Sequence, residues 1–355
     1  MNTKNLERKY NFQWNENYRH NKYALIIACL FSALTMEAQT TDGTKTESQS
    51  LSDDQFPPIR AFQLQYEGFA RRNFTSKLYH KKFQQGEIKN EGRMSVDANI
   101  PLYIKPRYIV TAALRYSSND MKYTDVAVAS AGNTGFQQSG HPNFQYFSAT
   151  ESLIYFSSLF HKPVIYNANL ITDGNQNGFK RIYGAVTATL VVKKSDYTTI
   201  SVGIIGFIDP AAVIPAVPSL AMQLRFEHSP WWIDCILPRH ILFKRPLFRS
   251  ARLSLGSELN GNIFYVSPST VAPADIYQFN QFEVKTGATF EQKISKHFIL
   301  SIRGGYQHIL FAQLAPINKS ISDDVYQTKP NGTAYYSIGL SYNIFKQKPK
   351  ETQKL

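Results

Sequence analysis

The chain has 355 residues, with 39 Lys and Arg against 26 Asp and Glu and a formal net charge of +13. Two cysteines exclude a disulfide-stapled scaffold, and 43% apolar with 14% aromatic residues excludes a disordered chain. The basic balance would suit nucleic acid, but an export signal near the N-terminus makes membrane headgroups the expected anionic neighbour and nucleic acid an unexpected one.

Residues 23–36 form a short apolar run, preceded by His20 and Lys22 and followed by Glu37, Ala38 and Gln39. That reads as a secretory signal peptide over 1–38, cut after Ala38, although Met36 occupies the place where a small residue is usual and the polar start is long. The uncharged run is shorter than the roughly 20 residues of a spanning helix. Ile26, Ile27, Ala28 and Cys29 imitate a lipoprotein box, with too little apolar core ahead of it. Cleavage leaves one cysteine, Cys235, and therefore no intramolecular disulfide. Residues 39–55 are a polar segment, 56–345 the folded unit, and 346–355 a basic tail.

No later stretch is long and apolar enough for a membrane helix. Instead, about twelve alternating segments approach the ~9 to 11 residues of a tilted membrane strand. They fall near 60–69, 92–101, 108–117, 144–156, 164–172, 181–193, 197–207, 219–229, 250–260, 279–291, 298–308 and 333–345. The second is clearest, with Met94, Val96, Ala98 and Ile100 on one face and Arg93, Ser95, Asp97 and Asn99 on the other. The fourth and seventh are ambiguous in facing. The eighth ends at Pro230, which removes a ladder donor. The pattern predicts an all-β fold, a transmembrane antiparallel up-and-down barrel of about twelve strands, within a range of ten to fourteen.

Long polar connections, including 70–91 and 118–143, alternate with short turns such as Lys105-Pro106-Arg107, His161-Lys162-Pro163 and Lys193-Lys194. Outer-membrane barrels put short turns in the periplasm and long loops outside. This assignment makes the periplasmic turns basic, able to rest on inner-leaflet phosphates, with Asp120, Asp209 and Asp323 among the outer-loop acids. The connection 238–249 is read as a longer basic turn. Tyr103, Tyr108, Phe156, Phe160, Tyr197, Trp231, Trp232, Phe298 and Phe345 flank these turns as an interfacial girdle.

Asp173 to Gly178 opens like a calcium loop, but the twelfth position is Gly184 instead of a bidentate Glu. A turn of αL-tolerant Asn and Gly accounts for it, so no metal is expected and no cofactor. The run Glu227 to Val266, with its His-Ser-Pro-Trp-Trp-Ile-Asp-Cys-Ile-Leu-Pro segment, resembles a Bacteroidota outer-membrane barrel family of unknown function. That resemblance implies a fold and a compartment, the outer membrane of a Gram-negative bacterium, and no assigned activity. The last strand alternates cleanly. Within it, Ser337, Gly339, Tyr342 and Ile344 resemble the C-terminal signal that barrels present to their assembly machinery.

Catalytic motifs are missing. Ser301 with His308, or Ser229 with His228, lack a third group to orient the base, so no enzyme is expected; a membrane-embedded lipid hydrolase ranks third among the functions. If the apolar faces meet lipid, Glu67, Arg93, Asp97, Arg115, Arg225, Glu227, Arg252, Glu258, Glu283, Lys285 and Arg303 point into the lumen. Gly256, Gly287, Gly305 and Gly339 on the same parity suggest free space there. The leading expectation is a narrow pore for a small solute; its rival is a closed barrel that serves structure or surface interaction through its loops.

Overall fold

A computed structural model describes residues 56–57, 59–129, 136, 139–212, 214–248, 250–267 and 276–343. The signal peptide, the segment 39–55, Ile344 and the basic tail lie outside the described residues. The strands are β1 (Phe62–Phe69), β2 (Arg72–Leu78), β3 (Lys81–Ile104), β4 (Tyr108–Val128), β5 (Asn143–Leu159), β6 (Lys162–Asn175), β7 (Gly178–Lys194) and β8 (Thr198–Ile208). They continue as β9 (Ala216–Arg225), β10 (Trp232–Leu237), β11 (His240–Phe248), β12 (Ala251–Val266), β13 (Tyr277–Lys293), β14 (Phe298–Pro316), β15 (Tyr326–Pro330) and β16 (Thr333–Tyr342).

All sixteen lie in one antiparallel sheet, which closes through β1 pairing with both β16 and β3. β1 and β2 share one register on β3, with Phe69 opposite Glu91 and Arg72 opposite Ile88. β15 and β16 likewise share one register on β14. The ring therefore holds fourteen strands, with β2 and β15 extending its first and last members. Closure matters physically: in hydrocarbon each unpaired backbone group costs several kcal/mol, so an open edge is not tolerated.

The count corrects the expected twelve. The additional pair is β10 and β11, in the region read as the end of one strand and a basic turn. Pro230 ends the alternation, and Lys244 and Arg245 interrupt the next segment; yet Lys244 turns inward to Asp234 and Arg245 lies over the Trp231 ring. The region 70–91 is likewise strand, not loop. The start of β1, the end of β16 and the turns around Arg107, His161, Ser195 and Lys296 gather at one end of the barrel, the basic end.

The alternation changes phase partway up the wall. β1 buries Glu67 and Phe69, whereas β2 buries Arg72, Phe74 and Ser76. β3 makes the same switch between Ile88 and Glu91, and the last strand between Pro330 and Thr333. Toward the basic end, Phe62, Leu64, Tyr336, Ile338 and Leu340 face outward and exposed, as in a lipid-facing wall. Beyond the switch, Asn73, Thr75 and Lys77 face outward while Phe74, Phe83, Phe264, Tyr277, Phe279 and Tyr326 pack inside. The far end thus folds like a water-soluble barrel with an aromatic core, each buried ring contributing about 1.5 to 3 kcal/mol.

Tyrosines mark both edges of the lipid-facing belt. Tyr108, Tyr155 and Tyr166 stack near the basic end, with centroids 5.4 and 6.3 Å apart. At the other edge Tyr66, Tyr336 and Tyr306 lie over Gly92, Gly68 and Gly332, where a Cβ would strike the Tyr66 hydroxyl and the Tyr336 and Tyr306 rings. The amphipathic ring covers a bare glycine and keeps its hydroxyl at the interface. Of the residues expected in the girdle, Tyr103, Phe160, Tyr197 and Phe298 are exposed near the basic end.

Candidate functional site

The inward side chains build a ladder of ion pairs. Nearest the basic end, Glu291 on β13 receives Arg252 of β12, its cross-strand neighbour, and Arg60 at 2.8 Å. Phe56, buried just ahead of β1, lies 4.7 Å from the Arg252 guanidinium and 5.3 Å from the Lys293 ammonium. The chain entering β1 therefore occupies part of this mouth. Arg303 of β14 pairs with Glu258 of β12 and donates from Nε to Thr289 at 2.8 Å. Arg115 donates to Asp97 at 2.6 Å, and Lys244 pairs with Asp234.

Higher up, the pairs fuse into one buried cluster. Lys285 bonds Glu67 at 2.6 Å and lies 3.2 Å from Glu283. Glu283 accepts from Arg93 at 2.7 Å, Arg93 returns to Glu91 at 2.6 Å, and Glu91 accepts from Arg72. Gln307 accepts from Arg72 at 2.6 Å and donates to Glu283, while Gln281 donates to Glu283 at 2.8 Å. Three cations thus face three carboxylates, and the Phe69 ring lies 4.5 Å from the Arg93 guanidinium. Glu283 and Gln307 have no exposed surface. The aromatic core of the far end lies directly above this cluster.

A second closure forms across the barrel. The upper part of β12 reaches β5 and β6: the Tyr265 hydroxyl donates to Asp173 at 2.5 Å, and Tyr146 donates to the other carboxylate oxygen at 3.1 Å. Arg181 lies 3.9 Å from Asp173 and 3.3 Å from Asp209. On the outer side of the same region the wall bears a groove of about 600 Å³, lined by Val96, Ala98, Leu114, Phe147, Ala149 and Thr172 among others. In the turn from Asp173 to Gly178, Asp173 serves the closure and Asn175 accepts from the Asn177 amide.

Arg93, Asp97, Arg115, Arg252, Glu258, Glu283, Lys285 and Arg303 all enter inward ion pairs, and so does Glu67. Arg225 ends β9 at the basic rim, opposite Trp232. Glu227 is a correction: β9 stops at Arg225, and Glu227 lies exposed in the following turn, outside the alternation that would aim it inward. Arg72, Glu91 and Gln307 escaped the sequence reading, the first two because 70–91 looked like a loop. The expected free space is also corrected. A Cβ at Gly287 would meet the backbone of Gly304 and Gly305, one at Gly256 the Ile241 carbonyl, and one at Gly339 the Ser301 hydroxyl. These glycines allow close approach of neighbouring strands rather than widening the lumen.

In the last strand, Ser337 and Gly339 face inward, and the Tyr342 ring lies 5.1 Å from Phe298. Ser301 points inward and bonds the Gly339 carbonyl, whereas His308 is exposed on the opposite parity, so that pair cannot form a catalytic dyad. Ser229 accepts from the Trp231 amide in the β9–β10 turn, beside the exposed His228.

No family model and no curated protein matches the chain. Among solved structures it is similar to a FadL homologue from Pseudomonas aeruginosa, at 8% identity and TM-score 0.38 over 81% of this chain and 91% of that one. It is also similar to an outer membrane channel from Pseudomonas putida F1, at 9% identity and TM-score 0.32 over 82% and 98%. A third is outer membrane phospholipase A from Escherichia coli, at 9% identity and TM-score 0.28 over 78% and 90%.

Proposed function

We propose that this protein is an outer-membrane barrel whose resting lumen is closed, acting through structure and its exposed surfaces rather than as a standing pore. The observation that carries this reading is the buried cluster in which Glu283 and Gln307 have no exposed surface beneath an aromatic core. A water-lined pore would leave such charges hydrated and separated. The lipid-facing belt supports a membrane setting, and the basic turns would face inner-leaflet phosphates. The assembly signal in β16 would engage the insertion machinery, and the resemblance over Glu227 to Val266 points to a barrel family of unknown function.

A gated path for a small solute is the second reading. It is favoured by the charged ladder running from Arg60, Glu291 and Arg252 at the basic mouth up to the cluster. Recording from the protein in planar bilayers separates the two. Quiet membranes at moderate voltage support the closed barrel; steady conductance from wild-type protein refutes it.

A further inference from the structure

Just beyond the tyrosine edge, three exposed cations meet on the outer face of neighbouring strands. The register that sets Phe69 opposite Glu91 and Arg72 opposite Ile88 brings Arg71 level with Lys89, and Lys122 of β4 lies opposite Asn90, the next residue of β3. Among the described residues neither Lys89 nor Lys122 enters an ion pair. Arg71 lies 3.4 Å from Glu87, and Asp120, the nearest acid to Lys122 along β4, is 3.1 Å from His141. Farther out, Lys77 sits directly opposite Lys82 and diagonal to Lys329 of β15, all three exposed. Like charges set opposite each other on a sheet repel. The other acids near this face are Asp125, between the two tiers of cations, and Asp323 and Asp324, beyond the outer tier.

The tyrosines fix the height of the inner tier. Gly68 and Gly92, covered by Tyr336 and Tyr66, lie opposite each other, and Arg71 and Lys89 stand three residues beyond them. Three residues span about 10 Å of strand, or about 7 to 8 Å along the bilayer normal at the usual barrel tilt. That reaches the headgroup layer, which adds about 5 to 8 Å to each side of the hydrocarbon. The outer tier stands about 15 Å higher again, above the headgroup of a simple phospholipid. Between the tiers, the exposed side chains of β2 and β3 are Asn73, Thr75 and Gln85, uncharged groups able to bond sugar hydroxyls.

We infer, on the membrane setting and orientation proposed above, that this face of β2 to β4 and β15 binds a phosphorylated glycolipid of the outer leaflet. Its phosphate lies among Arg71, Lys89 and Lys122, where the Arg71 guanidinium can hold two phosphate oxygens. Its saccharide runs up the wall, and anionic groups farther out on the sugars meet Lys77, Lys82 and Lys329.

The test is calorimetric titration of the full protein, in neutral detergent, with lipopolysaccharide. Lys89→Gln combined with Lys122→Gln should weaken binding by about tenfold or more, while heat-modifiable migration on gels reports an intact barrel. Wild-type protein should lose as much affinity when the lipopolysaccharide is dephosphorylated. Lys180→Gln combined with Lys319→Gln, the same change of charge elsewhere at the far end, should leave affinity unchanged. Equal losses in the two double variants, undiminished binding of the dephosphorylated lipid, or equally tight binding of phosphatidylglycerol overturns the inference with the barrel reading intact. A protein soluble without detergent and unchanged in migration by heating would refute the membrane setting, and the inference with it.

Discussion

Arg93 of β3 bonds Glu91 on its own strand at 2.6 Å and Glu283 of β13 at 2.7 Å, joining two walls of the barrel that are 190 residues apart in sequence. Removing its charge leaves Glu283 buried with Lys285 as its nearest cation. Arg93→Gln should destabilise the barrel by about 3 to 5 kcal/mol, as for a broken buried pair. Adding Glu283→Gln should recover part of that loss. Unfolding in lipid vesicles, comparing both single variants with the double, measures the coupling; additive losses would show that the two side chains act independently.

Gly287 and Gly305 sit opposite each other on β13 and β14. A methyl group at Gly287 would lie 2.8 Å from the Gly305 Cα and closer still to the Gly304 carbonyl. Since backbone cannot rotate aside as a side chain can, Gly287→Ala should cost about 1 to 3 kcal/mol or more through forced separation of the strands. The expected readout is a smaller folded fraction on unheated gels. A substitution without effect there would mean that the two strands are more loosely packed than this spacing implies.

The phase switch between β1 and β2 can be mapped by labelling. Thr75 faces outward beyond the switch and Leu64 faces outward below it. In a Cys235→Ala background, Thr75→Cys should react with an impermeant reagent on whole cells, whereas Leu64→Cys and the basic-end Ser195→Cys should not. Protection of Thr75→Cys would place the upper wall in lipid and contradict its polar outer face.

Tyr265 closes the barrel top by donating to Asp173. Loss of a hydrogen bond to a charged group costs about 1.5 to 3 kcal/mol, so Tyr265→Phe should lower stability by that order. It should also speed proteolysis in the loops at the far end while leaving the basic-end turns unaffected. Equal cleavage of variant and wild type would show that the contact of β12 with β5 and β6 is held by packing alone.

Deleting residues 335–345 should abolish membrane assembly, because β16 closes the sheet against β1 as well as carrying the inward Ser337 and Gly339. Deleting only 346–355 should leave it intact. Recovery of folded membrane protein after the longer deletion would show that neither function of the strand is essential.

The period-two wall and its polarity were legible in the order of residues. Met94 to Ile100 and Tyr336 to Leu340 can face only one way if one side is lipid, so the closed antiparallel class and the inward parity of Arg93, Glu67 and Lys285 rest on alternation alone. Alternation could not carry past a change of phase. Between Phe69 and Arg72, and between Ile88 and Glu91, inside and outside exchange, so a strand with an aromatic core reads as a polar loop, and the buried Arg72 and Glu91 read as solvated. Partners across the sheet were equally out of reach. Arg252 pairs with Glu291, because register places residues from distant parts of the chain side by side. Tertiary structure alone also decided whether inward glycines mean space: a missing side chain leaves a gap only if no neighbouring backbone moves in, and at Gly287 and Gly256 it does.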